Sequence, residues 1–298
     1  MFQKIVVVEP IIITQEGLEE LREYAKEVIF YEDVPQNEEE VIARIGDADG
    51  VLVYFNAPIT QKVLQACTNI KYIGMSYSYH DEEFSNVDMK SAEAKGIRVT
   101  HLNDYSDEGV REYVLSELIS ILHGLGKCQW KDRPYELTGL NIGIIGMGGV
   151  GSLVATSLKQ LGANIYYYSR TRKPHIEEQG IKYLELEQLL REVSIISTHL
   201  RRDVVLLKEK EFQTFGNGKI FINTTLGLCY EVETLRTWLK NPMNYHICDS
   251  VSKTPENGDI LNLPNVMFTN KVCGISKQSY TRATEQLTNN IAQYFEVI

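Results

Sequence analysis

Short apolar runs alternate along the chain with stretches in which apolar residues return every third or fourth position. Ile5, Val6, Val7 and Val8 make the first run and predict a strand over 5–8. The pattern then predicts a helix over 16–25, a strand over 28–31, a helix over 38–45 and a strand over 51–53. A helix over 61–66 follows, with Thr60 placed to cap it. Next come a strand over 70–73, a helix over 89–95 stopped by Gly96, and a strand over 97–99. Val110, Val114, Leu118, Ile121, Leu122 and Leu125 mark one face of a longer helix over 107–125, ended by Gly124 and Gly126.

A second series repeats the alternation. Strands are expected over 141–145, 165–168, 195–198, 220–223, 245–249 and 266–269. Helices are expected over 150–161, 187–191, 209–215 and 232–239, with a closing helix over 278–297. Strands and helices taking turns imply parallel sheet assembled from βαβ units. The fold class expected is therefore α/β, with two doubly wound parallel-sheet domains.

Composition narrows the function classes. Hydrophobic residues make up 43% and charged residues 23% of the 298, an ordinary globular balance. The net charge of −10 and the lack of a Lys/Arg-rich run exclude a nucleic-acid partner, which requires a basic stripe. No apolar stretch approaches the ~20 residues of a membrane span. The start of the chain is too short for a secretory leader and runs into Glu9 and Pro10, so a first strand is the better assignment. The five cysteines, Cys67, Cys128, Cys229, Cys248 and Cys273, are odd in number and form no C-x-x-C pair. Neither a metal site nor a disulfide framework is expected, and the chain is placed in a reducing, cytoplasmic compartment.

The one phosphate-binding signal is Gly146-Met147-Gly148-Gly149-Val150-Gly151. A lone G-x-G-x-x-G is weak, but this one directly follows the apolar run Ile142-Gly143-Ile144-Ile145 and opens a helix with Leu153, Val154, Leu158 and Leu161 on one face. Gly146 permits the tight turn, Gly148 lets backbone approach a pyrophosphate, and Gly151 lets helix pack on strand. The diphosphate then meets free N–H groups at a helix start. The ligand expected is a nicotinamide dinucleotide.

The end of the next strand decides which one. NAD sites carry Asp or Glu there to accept from the ribose 2′-hydroxyl. Here Tyr166-Tyr167-Tyr168 is followed by Ser169, Arg170, Thr171, Arg172 and Lys173, with no carboxylate and three cations. A 2′-phosphate is a dianionic acceptor that Arg and Thr suit, so NADP is preferred over NAD.

With these residues in view, the chain resembles the D-isomer-specific 2-hydroxyacid dehydrogenases over nearly its whole length. Leu137 to Gly148 is similar to the family's approach to its Rossmann turn. Ile220-Phe221-Ile222-Asn223-Thr224 with Gly227 resembles its Asn-Thr-x-Arg-Gly strand end. Leu263 to Thr269 resembles its Leu-Pro-Asn-Val run, and Val87-Asp88, Ala92 and Gly96-Ile97-Arg98-Val99 resemble the end of its first domain. The resemblance implies a flavodoxin-like substrate domain, residues 1–105 plus 279–298, and a Rossmann cofactor domain, residues 106–278. It implies a small-molecule substrate, a homodimer, and hydride transfer between nicotinamide and a 2-keto or 2-hydroxy acid. An Arg clamps the carboxylate and a His supported by a Glu passes the proton.

All three of those catalytic residues are replaced here. The Arg position falls on Leu226, the Glu position on Ser252 and the His position on Lys271. Leucine cannot form the bidentate fork that holds a carboxylate, so an ordinary 2-keto acid is a poor substrate unless Arg111, Arg201 or Arg202 substitutes. Lys271 is the candidate proton donor, since a buried lysine has a depressed pKa; the bland alternative is a surface lysine filling a vacated place. Along the cofactor the resemblance places His199, Leu200, Thr224, Thr225, Leu226 and Asp249, the last near the nicotinamide and a second catalytic candidate. Tyr77, Ser78 and Tyr79 fall on the family's glycine-rich substrate loop, where aromatic walls narrow the site. His80 and His101 lie on loops and rank low.

Two function classes stay open at this point. One is an NAD(P)-dependent oxidoreductase reducing a non-standard ketone, aldehyde or imine. The other is a pseudoenzyme that binds dinucleotide as a sensor or scaffold.

Overall fold

The structure is a computed structural model that describes residues 1–79, 85–202 and 204–297. The chain divides into two compact units, Met1–Tyr105 with Ser276–Ile298, and Ser106–Ile275.

The first unit holds strands β1 (Phe2–Val7), β2 (Ala25–Phe30), β3 (Gly50–Val53), β4 (Tyr72–Ser78) and β5 (Arg98–Leu102). They alternate with helices α1 (Gln15–Tyr24), α2 (Glu38–Ile45), α3 (Gln61–Ala66) and α4 (Met89–Ala94). All strand pairs are parallel, in the order β2-β1-β3-β4-β5. Each helix start is closed by its own side chain: Thr14, Asn37, Thr60 and Asp88 accept from backbone N–H groups three residues on. Such a cap contributes about 1 kcal/mol. Val6, Val51, Ile73 and Met75 on the sheet bury against Val41, Ile45, Val63 and Leu64 on the helices. The final helix, α11 (Lys277–Val297), returns to this unit, where Thr284 Oγ1 accepts from Thr14 N at 2.8 Å.

The second unit opens with α5 (Asp107–His123), ended by Gly124 in the left-handed conformation at φ 66°. Its strands are β6 (Asn141–Ile145), β7 (Asn164–Tyr168), β8 (Lys182–Tyr183), β9 (Ile195–Thr198), β10 (Ile220–Asn223), β11 (Tyr245–Cys248) and β12 (Val266–Phe268). Its other helices are α6 (Gly149–Gln160), α7 (Pro174–Glu177), α8 (Leu186–Glu192), α9 (Glu209–Phe215) and α10 (Val232–Trp238). The sheet is parallel throughout, in the order β12-β11-β10-β9-β6-β7-β8. Strand order thus reverses at β6, where the chain first winds one way and then the other; open α/β sheets bind ligands at such a point.

Both faces of this sheet are covered. Val114, Leu118 and Ile121 of α5 and Val154 and Leu158 of α6 bury against Ile142 and Ile144. Ile145, Ile196 and Phe221 face the other way, against Leu189, Phe212 and Leu235. The near-continuous apolar runs of the sequence are this two-sided burial.

The alternation expected from the sequence is the alternation found, with shifted ends. The strand expected at 70–73 runs Tyr72–Ser78, because Met75 and Tyr77 continue its buried face. Tyr77 and Ser78, expected on a loop, are therefore inside β4. Helix α7 and strand β8 had no counterpart in the expected pattern.

Candidate functional site

Helix α6 differs from the capped helices of the first unit. Gly148 is its N-cap, and no side chain bonds the helix start. Its first-turn N–H groups are consequently available to an anion. The preceding turn is shaped by steric necessity. Gly146 has φ 98°, and a Cβ there would lie 2.2 Å from the His199 carbonyl oxygen. A Cβ on Gly151 would lie 2.0 Å from the Gly146 carbonyl oxygen. Nothing lies within 4 Å of the position a Cβ would take on Gly148, which is exposed with Gly149. The glycines that cannot be replaced close the turn, and the one with open space presents backbone outward. Gly146 N donates to Tyr168 O at 2.8 Å and His199 N to Ile145 O at 2.8 Å, tying the turn to both neighbouring strands.

On the β7 side, the loop after Tyr168 is locally bonded. Ser169 Oγ donates to Thr171 O at 2.6 Å and Lys173 N to Tyr167 Oη at 2.7 Å. Arg170 and Thr171 are exposed, and Arg170 has no partner among the described residues. Arg172 is already engaged by a carboxylate. Its Nε donates to Glu177 Oε1 at 3.0 Å, its Nη2 bonds Glu177 Oε2, and its guanidinium lies 5.1 Å from the Tyr183 ring centroid. Glu177 also accepts from Tyr167 Oη at 2.9 Å. One of the three cations is thus neutralised by a carboxylate that the strand-end pattern missed. Pro174 was the available signal, since proline favours the first helical position and α7 carries Glu177.

On the other side, the ends of β9, β10 and β11 share one buried network. Thr198 Oγ1 donates to Asn223 Oδ1 at 2.8 Å, and Thr225 N donates to the same oxygen at 3.1 Å. Asn223 Nδ2 donates to Ser252 Oγ at 3.0 Å, and Leu200 N to Thr225 Oγ1 at 3.2 Å. His199 sits between Ser197 Oγ at 2.9 Å and Thr224 Oγ1 at 3.3 Å. Burial pushes its imidazole down to about 3, so it is neutral at physiological pH. The network fixes the loop that carries Thr224, Thr225 and Leu226, and Leu226 is left 45% exposed at its tip.

Asp249 follows β11 and is fully buried. Its Oδ2 accepts from Cys273 N at 2.8 Å, and its Oδ1 has no partner among the described residues. Burial raises its carboxyl above the usual range, with the Cys273 N–H opposing. Tyr113 of α5 reaches the same strand end, donating to Cys248 O at 3.0 Å. Lys271 is exposed, the surface placement of the two that the sequence leaves open; its carbonyl accepts from Ser250 N at 3.2 Å. Ser252 is fully buried and its hydroxyl serves Asn223, a structural bond.

The remaining candidates scatter. Tyr77 is 2% exposed with its hydroxyl on Asn86, while Ser78 and Tyr79 are half-buried. His101 lies in β5, 5.4 Å from the Tyr79 ring, and His80 lies outside the described residues. Arg111, a possible replacement for the missing cation, is ion-paired with Glu108 on its own helix. Among the described residues no group of His, Cys, Asp and Glu is arranged to hold a metal, and no helix is long and apolar enough to cross a membrane.

The residues fit a dinucleotide. β6 and β11 are three strand spacings apart, roughly 14 Å. The uncapped helix start lies between the basic loop after β7 and the orphaned carboxylate oxygen after β11, all at the carboxyl ends of parallel strands. Fold and turn together define a Rossmann-type dinucleotide-binding protein. A family model described as D-isomer specific 2-hydroxyacid dehydrogenase, NAD binding domain, matches residues 119–272, more than half of the chain. The chain belongs to the D-isomer specific 2-hydroxyacid dehydrogenase family and is an NAD(P)-dependent oxidoreductase of that type.

The relatives agree. A hydroxypyruvate reductase of Blautia hydrogenotrophica is 27% identical over 281 residues, covering 87% of this chain and 85% of its own. An acyclic imino acid reductase solved with NADPH and D-Arg superposes with a TM-score of 0.82 at 22% identity, covering 98% of this chain and 97% of that one. D-lactate dehydrogenase from Aquifex aeolicus, complexed with NAD and lactic acid, gives 0.78 at 22% identity, covering 98% and 95%. At that identity the two structures speak for the fold alone. The family match and the curated relatives favour an enzyme over a dinucleotide-binding pseudoenzyme.

Proposed function

We propose that the chain is an NADP-linked reductase whose substrate is a carbonyl or imine compound other than an ordinary 2-keto acid. The observation that carries this is Leu226. It is exposed on the loop after β10, and the cation that a substrate carboxylate requires is absent from that position. A carboxylate taken out of water without a partner costs about 2–5 kcal/mol, more than enough to shift specificity away from it. An acyclic imino acid reductase of this fold was solved with NADPH and a D-lactate dehydrogenase of this fold with NAD, so the fold accommodates either coenzyme, and the loop after β7 carries the preference.

Gly146, Gly148, Gly149, Val150 and Gly151 would hold the diphosphate. Ser169, Arg170 and Thr171 would stand at the adenosine ribose, where the exposed charge of Arg170 favours NADP, while Arg172 holds the same loop through Glu177. His199, Leu200, Thr224 and Thr225 line the path to the nicotinamide, and Asp249 Oδ1 would accept a hydrogen bond from its end of the cofactor. Bound nicotinamide supplies the hydride. Lys271, exposed after β12 and without a partner among the described residues, would donate the accompanying proton to the carbonyl oxygen or imine nitrogen and stabilise charge there. Tyr77, Ser78 and Tyr79 belong to the substrate side.

The test is NADPH oxidation against a panel of ketones, aldehydes and imines, with pyruvate and hydroxypyruvate as controls. Turnover of a panel member that falls at least tenfold in Lys271→Met supports the assignment. Ready reduction of pyruvate or hydroxypyruvate contradicts the substrate class, and equal rates in the variant remove Lys271 from the chemistry. We also propose a homodimer, the commonest assembly, to be checked as twice the 34.0 kDa chain mass by light scattering. Five unpaired cysteines support a reducing, cytoplasmic location.

A further inference from the structure

The loop after β7 carries two arginines two residues apart, and the structure treats them differently. We infer that Arg170 alone reads the cofactor's 2′-phosphate, while Arg172 is withheld from it by Glu177. This rests on the NADP reading proposed above.

Four bonds build the loop. Tyr167 is buried in the sheet, and its hydroxyl accepts from Lys173 N at 2.7 Å and donates to Glu177 Oε1 at 2.9 Å. Glu177 in turn receives Arg172 through both Nε and Nη2. An isolated surface ion pair is weak, about 0–1 kcal/mol, because water competes and both side chains lose freedom. This pair differs in geometry. The fork is bidentate, the guanidinium rests on the Tyr183 ring at 5.1 Å, and the carboxylate is already fixed by Tyr167. The entropy of holding Glu177 is met by the sheet, so Arg172 is fixed before any ligand arrives. Its charge is cancelled and its donors point at Glu177.

The same bonds leave Arg170 as the arginine of the loop that has no partner among the described residues. Two residues before it, Gly146 N is bound to Tyr168 O at 2.8 Å, so the strand end that carries Arg170 is tied to the glycine turn. A planar fork on a short, prebuilt loop is suited to a phosphate's acceptor oxygens. Glu177 therefore acts on selectivity through Arg172 and through the loop, without being the ribose-binding carboxylate of an NAD site.

The test is calorimetric titration of the full chain with 2′,5′-ADP and with 5′-ADP, which differ only in the 2′-phosphate and need no turnover. Wild type is expected to bind 2′,5′-ADP the more tightly. Arg170→Ala should weaken 2′,5′-ADP about tenfold, equivalent to about 1.4 kcal/mol, and leave 5′-ADP unchanged. Arg172→Ala should change either ligand by less than about threefold, and should become costly to 2′,5′-ADP only in a Glu177→Gln background, where the guanidinium is released. Loss of the preference in Arg172→Ala, or its survival in Arg170→Ala, overturns the division of roles while leaving NADP selectivity standing. Equal wild-type affinity for the two ligands overturns the NADP reading itself. Thermal melts confirm that each variant is folded, and Arg172→Lys, which keeps the charge but not the fork, serves if Arg172→Ala unfolds.

Discussion

Gly151 approaches Gly146 so closely that a methyl group on the first would sit 2.0 Å from the carbonyl oxygen of the second. Backbone on both sides leaves that clash no flexible end to yield. Gly151→Ala is therefore expected to lower stability by about 1–3 kcal/mol, as overpacking does, and to abolish dinucleotide binding with it. Gly148→Ala is the contrast. With nothing within 4 Å of the added carbon, the melting temperature should hold, and only affinity for the dinucleotide should drop. Thermal melts with and without NADPH separate the two; equal melting of both variants would contradict the geometry of the turn.

Two histidines, His246 fully buried and His199 half-buried, set the acid limit of the fold. Burial pushes His199 down to about 3 and His246 down to about 4, and His246 Nε2 is buried without a partner. In the unfolded chain both titrate near 6.5. Below that pH the unfolded state binds protons that the folded state refuses, so stability falls as pH drops from about 6.5 towards 4. It falls by up to about 1.4 kcal/mol per pH unit for each histidine. Above 6.5 neither contributes. Denaturant melts between pH 4 and 8 check the slope, and His246→Phe, which keeps a ring stacked on Phe221, should flatten it by about half.

Asp249 carries the opposite sign. Its folded carboxyl titrates above the unfolded value because burial disfavours the charge, so ionisation costs stability as pH rises past the carboxylate range. Asp249→Asn keeps the acceptor for Cys273 N and removes the charge. The variant is expected to melt higher at pH 7 while binding dinucleotide more weakly; a lower melting temperature would show that the carboxylate is stabilised by a group this account lacks.

Ser252 and Leu226 respond unequally to restoring the residues that the family places there. Ser252→Glu would put a carboxylate into a fully buried position bonded to Asn223, with no cation to receive it, and should destabilise the chain by about 3 kcal/mol or more. Leu226→Arg enters an exposed position and should be tolerated, raising kcat/KM for 2-keto acids about tenfold by supplying the missing fork. Expression yields and steady-state rates on pyruvate distinguish the cases. A stable Ser252→Glu protein would mean that the network around Asn223 is looser than its hydrogen bonds imply.

Much of this was legible before any coordinates. The 3.6-residue and two-sided apolar patterns identified both parallel sheets, and Gly146, Gly148 and Gly151 were readable because a strand, a turn and a helix each impose a local rule on residue type. The cap at Thr60 followed from its hydroxyl alone, and Val63 N does donate to it. What escaped depends on contacts between residues distant in sequence. Glu177 is invisible as the partner of Arg172 until Tyr167 brings them together, and the buried state of Ser252 is decided by Asn223 on another strand. Lys271 escaped differently: a residue type predicts chemistry only when its exposure is known, and exposure belongs to the fold.

The central claim is that a diphosphate docks on the uncapped start of α6. Calorimetric titration of the wild-type chain and Gly148→Asp with NADPH tests it most directly, because the added carboxylate repels the ligand without a steric clash in the fold. Saturable binding to wild type that is lost in Gly148→Asp, with the melting temperature of the free variant unchanged, is the predicted result. Absence of binding heat with either NADPH or NADH, or equal affinity in the two proteins, would contradict it.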